Sequence, residues 1–203
     1  MRNRIRYLTA ACRYGWKAHG MGESDPAARV TAPQVENARH QYLTRAQMLA
    51  VCRQCTNRTA RLAIRIAFYS GMRLGEILRA EVSGQAWVLR DTKNGNPRIV
   101  PMHPRAAVCA RAFEPCPKIT IQRAWERARD RADMHGFHFH DLRHSAATEM
   151  ANAGVDLFTL GRVLGHKDQR STQRYAHHYI DTLAAAVGKI GQKNPHHLQK
   201  KAA

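Results

Sequence analysis

Residues 136–150 read GFHFHDLRHSAATEM, and the order of side chains in that run decides what the surrounding chain must build. Asp141 opens an alanine-rich stretch, where a carboxylate favours the N-terminal end of a helix. From there Leu142, Ala146 and Met150 recur at i, i+4 and i+8, an apolar ridge on one helical face. Arg143 falls between that ridge and His140, which is a poor place for an idle charge. An arginine drawn toward a core beside a helix N-terminus is stabilised by an anion, which also gains from the free backbone N–H groups there. His140 and His144 are spaced as two metal ligands on one face, with His138 as a third nitrogen. The metalloprotease pattern, however, needs Glu directly after the first His, and Asp141 stands there. A phosphate is therefore the leading occupant, with a metal site and plain structural histidines as alternatives.

The whole chain asks for the same kind of partner. Lysine and arginine number 33 against 15 acidic residues in 203, a formal net charge of +18 spread along the sequence. A polyanion follows, with a ribosomal-type basic protein as the bland alternative. Hydrophobic residues make up 44%, enough for a real core. The five cysteines, Cys12, Cys52, Cys55, Cys109 and Cys116, form an odd set without a signal peptide. They read as structural thiols in a reducing cytosol rather than disulfides or zinc ligands. No apolar run approaches the ~20 residues of a membrane span, so the expectation is a soluble cytoplasmic protein without membrane contact.

Periodicity predicts a mainly helical fold with one small antiparallel β-sheet, an α+β class. Residues 4–18 carry a helical stripe, followed by a break and an extended linker through GMGESDPAARV. LTRAQMLAV offers Thr44 as an N-cap, and TARLAIRIAFYSG is a strongly apolar helix that Gly71 can end in a left-handed conformation. LGEILRA is a short helix. Two β-rich runs then flank Asn94-Gly95, a type I′ hairpin signal. Helical pattern returns over 119–133, 141–153, 156–164, 171–178 and 181–190, and the basic tail GQKNPHHLQKKAA reads as mobile. Trp16, Trp87 and Trp125 read as packing anchors.

Other candidate anion contacts are weaker one by one. Arg73 follows Gly71 at a corner between helices, with Glu76 within reach to orient its guanidinium. Lys93 precedes the hairpin turn. Gly165 stops a helix and leaves His166 at its edge, and Tyr175 follows nine residues later in STQRYAHH.

Taken together, SGMRLGEI, TKNGNPRIVPM, HDLRHSAAT, LGH and STQRYAHH resemble, in that order, the motifs of the tyrosine recombinase or phage integrase catalytic domain. The resemblance covers about residues 36–190 and implies the DNA breaking-rejoining fold. It implies a site-specific recombinase, an integrase that breaks and rejoins double-stranded DNA at attachment-type sites through a 3′-phosphotyrosyl intermediate. Tyr175 would be the nucleophile, His140 the base, Arg73 and Arg143 the clamp on the nonbridging oxygens, His166 a further donor and Lys93 the acid for the departing 5′ oxygen. Glu76 would support them, and His144 would be structural.

It further implies no cofactor, metal or ATP, a homo-tetramer on DNA from a monomer when free, accessory DNA-bending proteins, and a phage or mobile-element enzyme acting at the nucleoid. Residues 1–35 resemble the last helix of a core-binding domain plus linker, and 191–203 a basic flexible tail. With only that helix present, weak DNA grip is expected. A catalytically idle DNA-binding remnant and a type IB topoisomerase-like enzyme are the alternatives.

Overall fold

The computed structural model describes residues 2–33, 41–90, 97–166, 168, 170–173, 175–176 and 187. The chain divides into two compact units, Met1–His40 and Gln41–Ala203. In the first, α1 (Arg2–His19) is followed by a segment tied to it by Arg13. Its Nε pairs with Asp25 at 3.0 Å and its Nη2 donates to the carbonyl of Ala27. Asp25 also accepts from the Ala27 N–H at 2.8 Å. Part of the expected extended linker is therefore a turn, because a carboxylate two residues before an N–H closes it locally.

In the second unit, α2 (Arg45–Gln54) starts at a capping box in which Thr44 and Gln47 satisfy each other's backbone N–H groups. α3 (Arg58–Ser70) starts at Asn57, whose side chain accepts from the Ala60 N–H, and stops at Gly71 with φ 66°. Its buried residues include Ala63, Ile64, Ile66, Ala67 and Phe68, on more than one face of the helix. A helix buried on several sides belongs in the middle of a domain. α2, α5 (Pro104–Arg111), α6 (Lys118–Arg131) and α7 (Asp141–Asn152) all pack on it. The core they enclose includes Leu43, Met48, Val51, Trp125 and Leu142, each essentially inaccessible.

Between α4 (Leu74–Ile77) and α5 lies a three-stranded antiparallel sheet in the order β1 (Glu81–Ser83), β2 (Ala86–Leu89), β3 (Arg98–Pro101). Trp87 pairs with Val100, and Leu89 with Arg98 at the far end of the ladder. Residues 91–96, with Lys93 and Asn94-Gly95, lie outside the described residues. α8 (Leu157–Leu164) and α9 (Arg170–Gln173) follow α7, and Ala147, Ala151, Leu160, Leu164 and Tyr175 form a second apolar cluster there.

The mainly helical fold with a small antiparallel sheet is as expected from the sequence, with three local differences. α5 has no long apolar stripe to announce it; it is set by Pro104 at its first position and by the His103 ring, whose Nδ1 accepts from the Arg105 N–H. β1 is exposed along its whole length and so has no alternation to read. The helix expected over 171–178 is the short α9, with Tyr175 in a turn; of the segment 181–190 only Val187 is described, and it is helical. All five cysteines are free, and burial pushes the Cys52 thiol up to about 12. Among the described residues no helix is long and apolar enough to cross a membrane.

Candidate active site

The site grows from the two ends of α3 and α7. At the C-terminus of α3, Gly71 adopts the left-handed region, and a Cβ there would lie 2.5 Å from Leu164 Cδ2. Only glycine permits both the turn and the approach of α8. The Gly71 carbonyl accepts from Arg143 Nη1 at 2.8 Å, so the stop of one helix receives the arginine of another. Arg143 is 3% exposed, and its Nη2 is buried with no hydrogen-bond partner among the described residues. Burial pushes its pKa down to about 9, and the neighbouring Arg73 and Arg98 charges add to the effect while Glu76 and Tyr175 oppose it. Its charge is disfavoured by burial and by the neighbouring cations, yet it stays charged at neutral pH.

Arg73 caps the short α4, where Glu76 reaches back. Glu76 Oε2 accepts from the Arg73 N–H and Oε1 from its Nη1, both at 2.8 Å. Glu76 is 2% exposed. Its second guanidinium partner is Arg98 Nη2, also at 2.8 Å. Burial alone would raise the Glu76 carboxyl, but the Arg73 backbone N–H and the Arg98 and Arg73 guanidinia outweigh it and hold the pKa below the ordinary value. A carboxylate shared between two arginines keeps both forks fixed in direction. Arg98 Nη1 meanwhile donates to the Val163 carbonyl at 3.0 Å, tying β3 to the last turn of α8.

Arg73, Glu76 and His140 line one groove of about 510 Å³, together with Arg79, Lys118 and Gln122. His140 is exposed at the N-terminus of α7. Asp141 is buried there and accepts from the His138 N–H at 2.7 Å, the N-terminal role its position suggested. His166 follows Gly165, which has φ 67° and no room for a Cβ beside the Arg98 guanidinium. Its Nδ1 lies 2.8 Å from Thr172 Oγ1, on a separate hollow of about 420 Å³ that includes Phe158 and Arg162. Tyr175 is 5% exposed. Its hydroxyl lies 2.7 Å from His144 Nδ1, the histidine expected to be structural.

Arg73, Glu76 and His140 thus share a groove, Arg143 is electrostatically coupled to Arg73 and Tyr175, and Lys93 lies outside the described residues. Sequence reasoning missed Arg98 and the contact of His144. Arg98 had a signal, a charge at a strand position paired opposite buried Leu89; His144 had none beyond its helical spacing from His140. Among the described residues no cluster of three His, Cys, Asp or Glu is placed to hold a metal ion.

Residues 108–181 match the model of the phage integrase family, a span that contains His140, Arg143, His166 and Tyr175. Over that span the chain is similar to the phage integrase family. The tyrosine recombinase XerA of Saccharolobus solfataricus is 27% identical over 194 residues, covering 88% of this chain and 65% of that protein. A lambda integrase tetramer bound to a Holliday junction superposes with TM-score 0.68 at 21% identity, covering 84% of this chain and 57% of that one. The catalytic domain of bacteriophage HP1 integrase gives TM-score 0.63 at 24% identity, over 76% of this chain and 97% of that one. These solved structures share the fold described above, and the chain spans less than two thirds of the length of the first curated relatives it matches.

Proposed function

We propose that this chain is a site-specific DNA recombinase that breaks and rejoins double-stranded DNA through a 3′-phosphotyrosyl intermediate. One observation carries the reading: Arg143, buried, with Nη2 lacking a partner among the described residues and its charge destabilised by burial and then by Arg73. A phosphodiester seated between the two guanidinia would satisfy that donor and relieve the repulsion at once. No neutral ligand would do both.

In this reading Arg73 and Arg143 bind the nonbridging oxygens and stabilise the charge that builds on the pentacoordinate phosphorus. Glu76 holds Arg73 in place. His140, on the groove beside Arg73, and His166, at the end of α8, add hydrogen bonds to the phosphate. The guanidinium pair supplies the charge that a metal supplies elsewhere, so neither metal nor ATP is required. Tyr175 Oη attacks, the phosphotyrosyl bond retains the energy of the broken ester, and the freed 5′ oxygen takes a proton from Lys93. Full deprotonation of a phenol of ordinary pKa at pH 7 costs about 4 kcal/mol, so the proton must leave during attack. DNA held by a cationic surface and acted on by several copies of the chain is the expected working state.

The test uses the full chain and a pool of nicked duplexes of randomised sequence, in which the fragment beyond the cut diffuses away and traps the intermediate. Denaturing electrophoresis should reveal protein joined to DNA. Tyr175→Phe should abolish that adduct while leaving DNA binding intact. A folded wild-type chain that binds the pool yet never becomes joined to it would leave only an idle DNA-binding domain.

A further inference from the structure

We propose that His144 is a catalytic residue: its Nδ1 takes the phenolic proton of Tyr175 as that oxygen attacks phosphorus. The inference rests on the recombinase reading above and assigns one of its steps. The Tyr175 hydroxyl and His144 Nδ1 are 2.7 Å apart, a hydrogen bond in which the phenol donates when Nδ1 is the unprotonated nitrogen. That separation is within reach for direct proton transfer.

The surroundings make an internal acceptor necessary. Tyr175 is 5% exposed and sits in an apolar cluster with Ala147, Ala151, Leu160 and Leu164, so bulk water is not at hand to take the proton. Its backbone is held by a hydrogen bond from its N–H to the Thr172 carbonyl at 3.0 Å. His144 is half-buried on α7, directly after Arg143. The helix that presents the phosphate clamp therefore also presents the base, and the two are fixed relative to each other. The His140 ring packs edge-on against His144 at 5.2 Å between centroids and lines the groove with Arg73. The base role, which the resemblance gave to His140, therefore moves to His144: His140 lines the groove with Arg73 and is left to contact the phosphate, while His144 meets the nucleophile.

The step balances without any further reactant. The Oη–H bond breaks and its proton goes to Nδ1, giving an imidazolium; the Oη–P bond forms. The P–O5′ bond breaks with its electron pair going to O5′, which is protonated by a separate acid. On rejoining, the O5′–H proton returns to the conjugate base of that acid as O5′ attacks phosphorus, the P–Oη bond breaks with its electron pair going to Oη, and the imidazolium returns its proton to Oη.

The experiment compares wild type, His144→Asn, His144→Gln and Lys93→Ala in single turnover, on the nicked duplex most efficiently trapped by the wild type. A second duplex carries sulfur in place of the bridging 5′ oxygen, a leaving group that needs no acid. Asparagine places an amide oxygen near the position of Nδ1, so it can hold the tyrosine without accepting its proton. Both His144 variants should form the adduct about 100-fold more slowly, by the same factor on both duplexes. The Lys93→Ala deficit should shrink on the sulfur duplex. His144→Asn within threefold of wild type would overturn the proposal, and so would a His144 deficit that vanishes on the sulfur duplex. Should neither variant fold, 15N-histidine spectra of the wild type and Tyr175→Phe decide: loss of the hydroxyl must shift the His144 Nδ1 signal, and an unchanged signal overturns the contact. An inactive wild type condemns the recombinase reading itself, which separates the two failures.

Discussion

Glu76 shows how one side chain can organise a cationic site. Its two oxygens serve the Arg73 and Arg98 guanidinia and the Arg73 backbone N–H, so removing its charge leaves two buried or half-buried cations facing each other and Arg143. Glu76→Gln should lower stability by roughly 3–5 kcal/mol, the penalty for stranding a buried partner, read as the shift of the urea midpoint at pH 7. The pH dependence has a definite sign. The folded carboxyl is held below its ordinary value of 4.5, so its stabilisation is fully present above that value and is lost as pH falls through the folded one. Wild type should therefore lose stability steeply on acidification below pH 4.5, and Glu76→Gln less steeply over the same window.

At the scale of elements, the site depends on where helices stop. α3 ends at Gly71 so that its carbonyl can receive Arg143, and α8 ends at Gly165 so that Arg98 can reach the Val163 carbonyl. Gly71→Ala must hold an L residue in the left-handed region, at about 1–2 kcal/mol. It must also push Leu164 off a contact of 2.5 Å, which adds about 1–3 kcal/mol. Thermal unfolding should show the combined loss, and adduct formation should slow further because the Arg143 anchor moves with the turn. A Gly71→Ala chain as stable as wild type would mean that α3 and α8 do not meet as described.

For the molecule as a whole, the net charge of +18 would govern how the DNA of the proposed reaction is held. Titrating a duplex at rising salt should give a log–log slope of about −5 to −9, since each phosphate neutralised contributes about −0.9. A nearly flat slope would mean that the cations are solvated faces rather than a DNA-binding surface.

Much of this molecule could be read along the chain, and the reason lies in range. The caps at Thr44 and Gly71, the ridge of Leu142, Ala146 and Met150, and the stop at Gly165 are decided by residues within a turn of one another, so their signals survive in sequence. The order of motifs was likewise legible, and so was the pairing of Arg73 with Glu76 three residues on. α5 and β1 were not, because an eight-residue helix set by a proline and a fully exposed strand carry no period to count. The second arginine on the Glu76 carboxylate, Arg98, comes from 22 residues away, and His144 meets Tyr175 across 31. Such encounters depend on how α7 lies against α9 and how β3 lies against α8. Local propensity specifies which elements form and where they end; which charges and nucleophiles meet is settled only when packing fills the space between them.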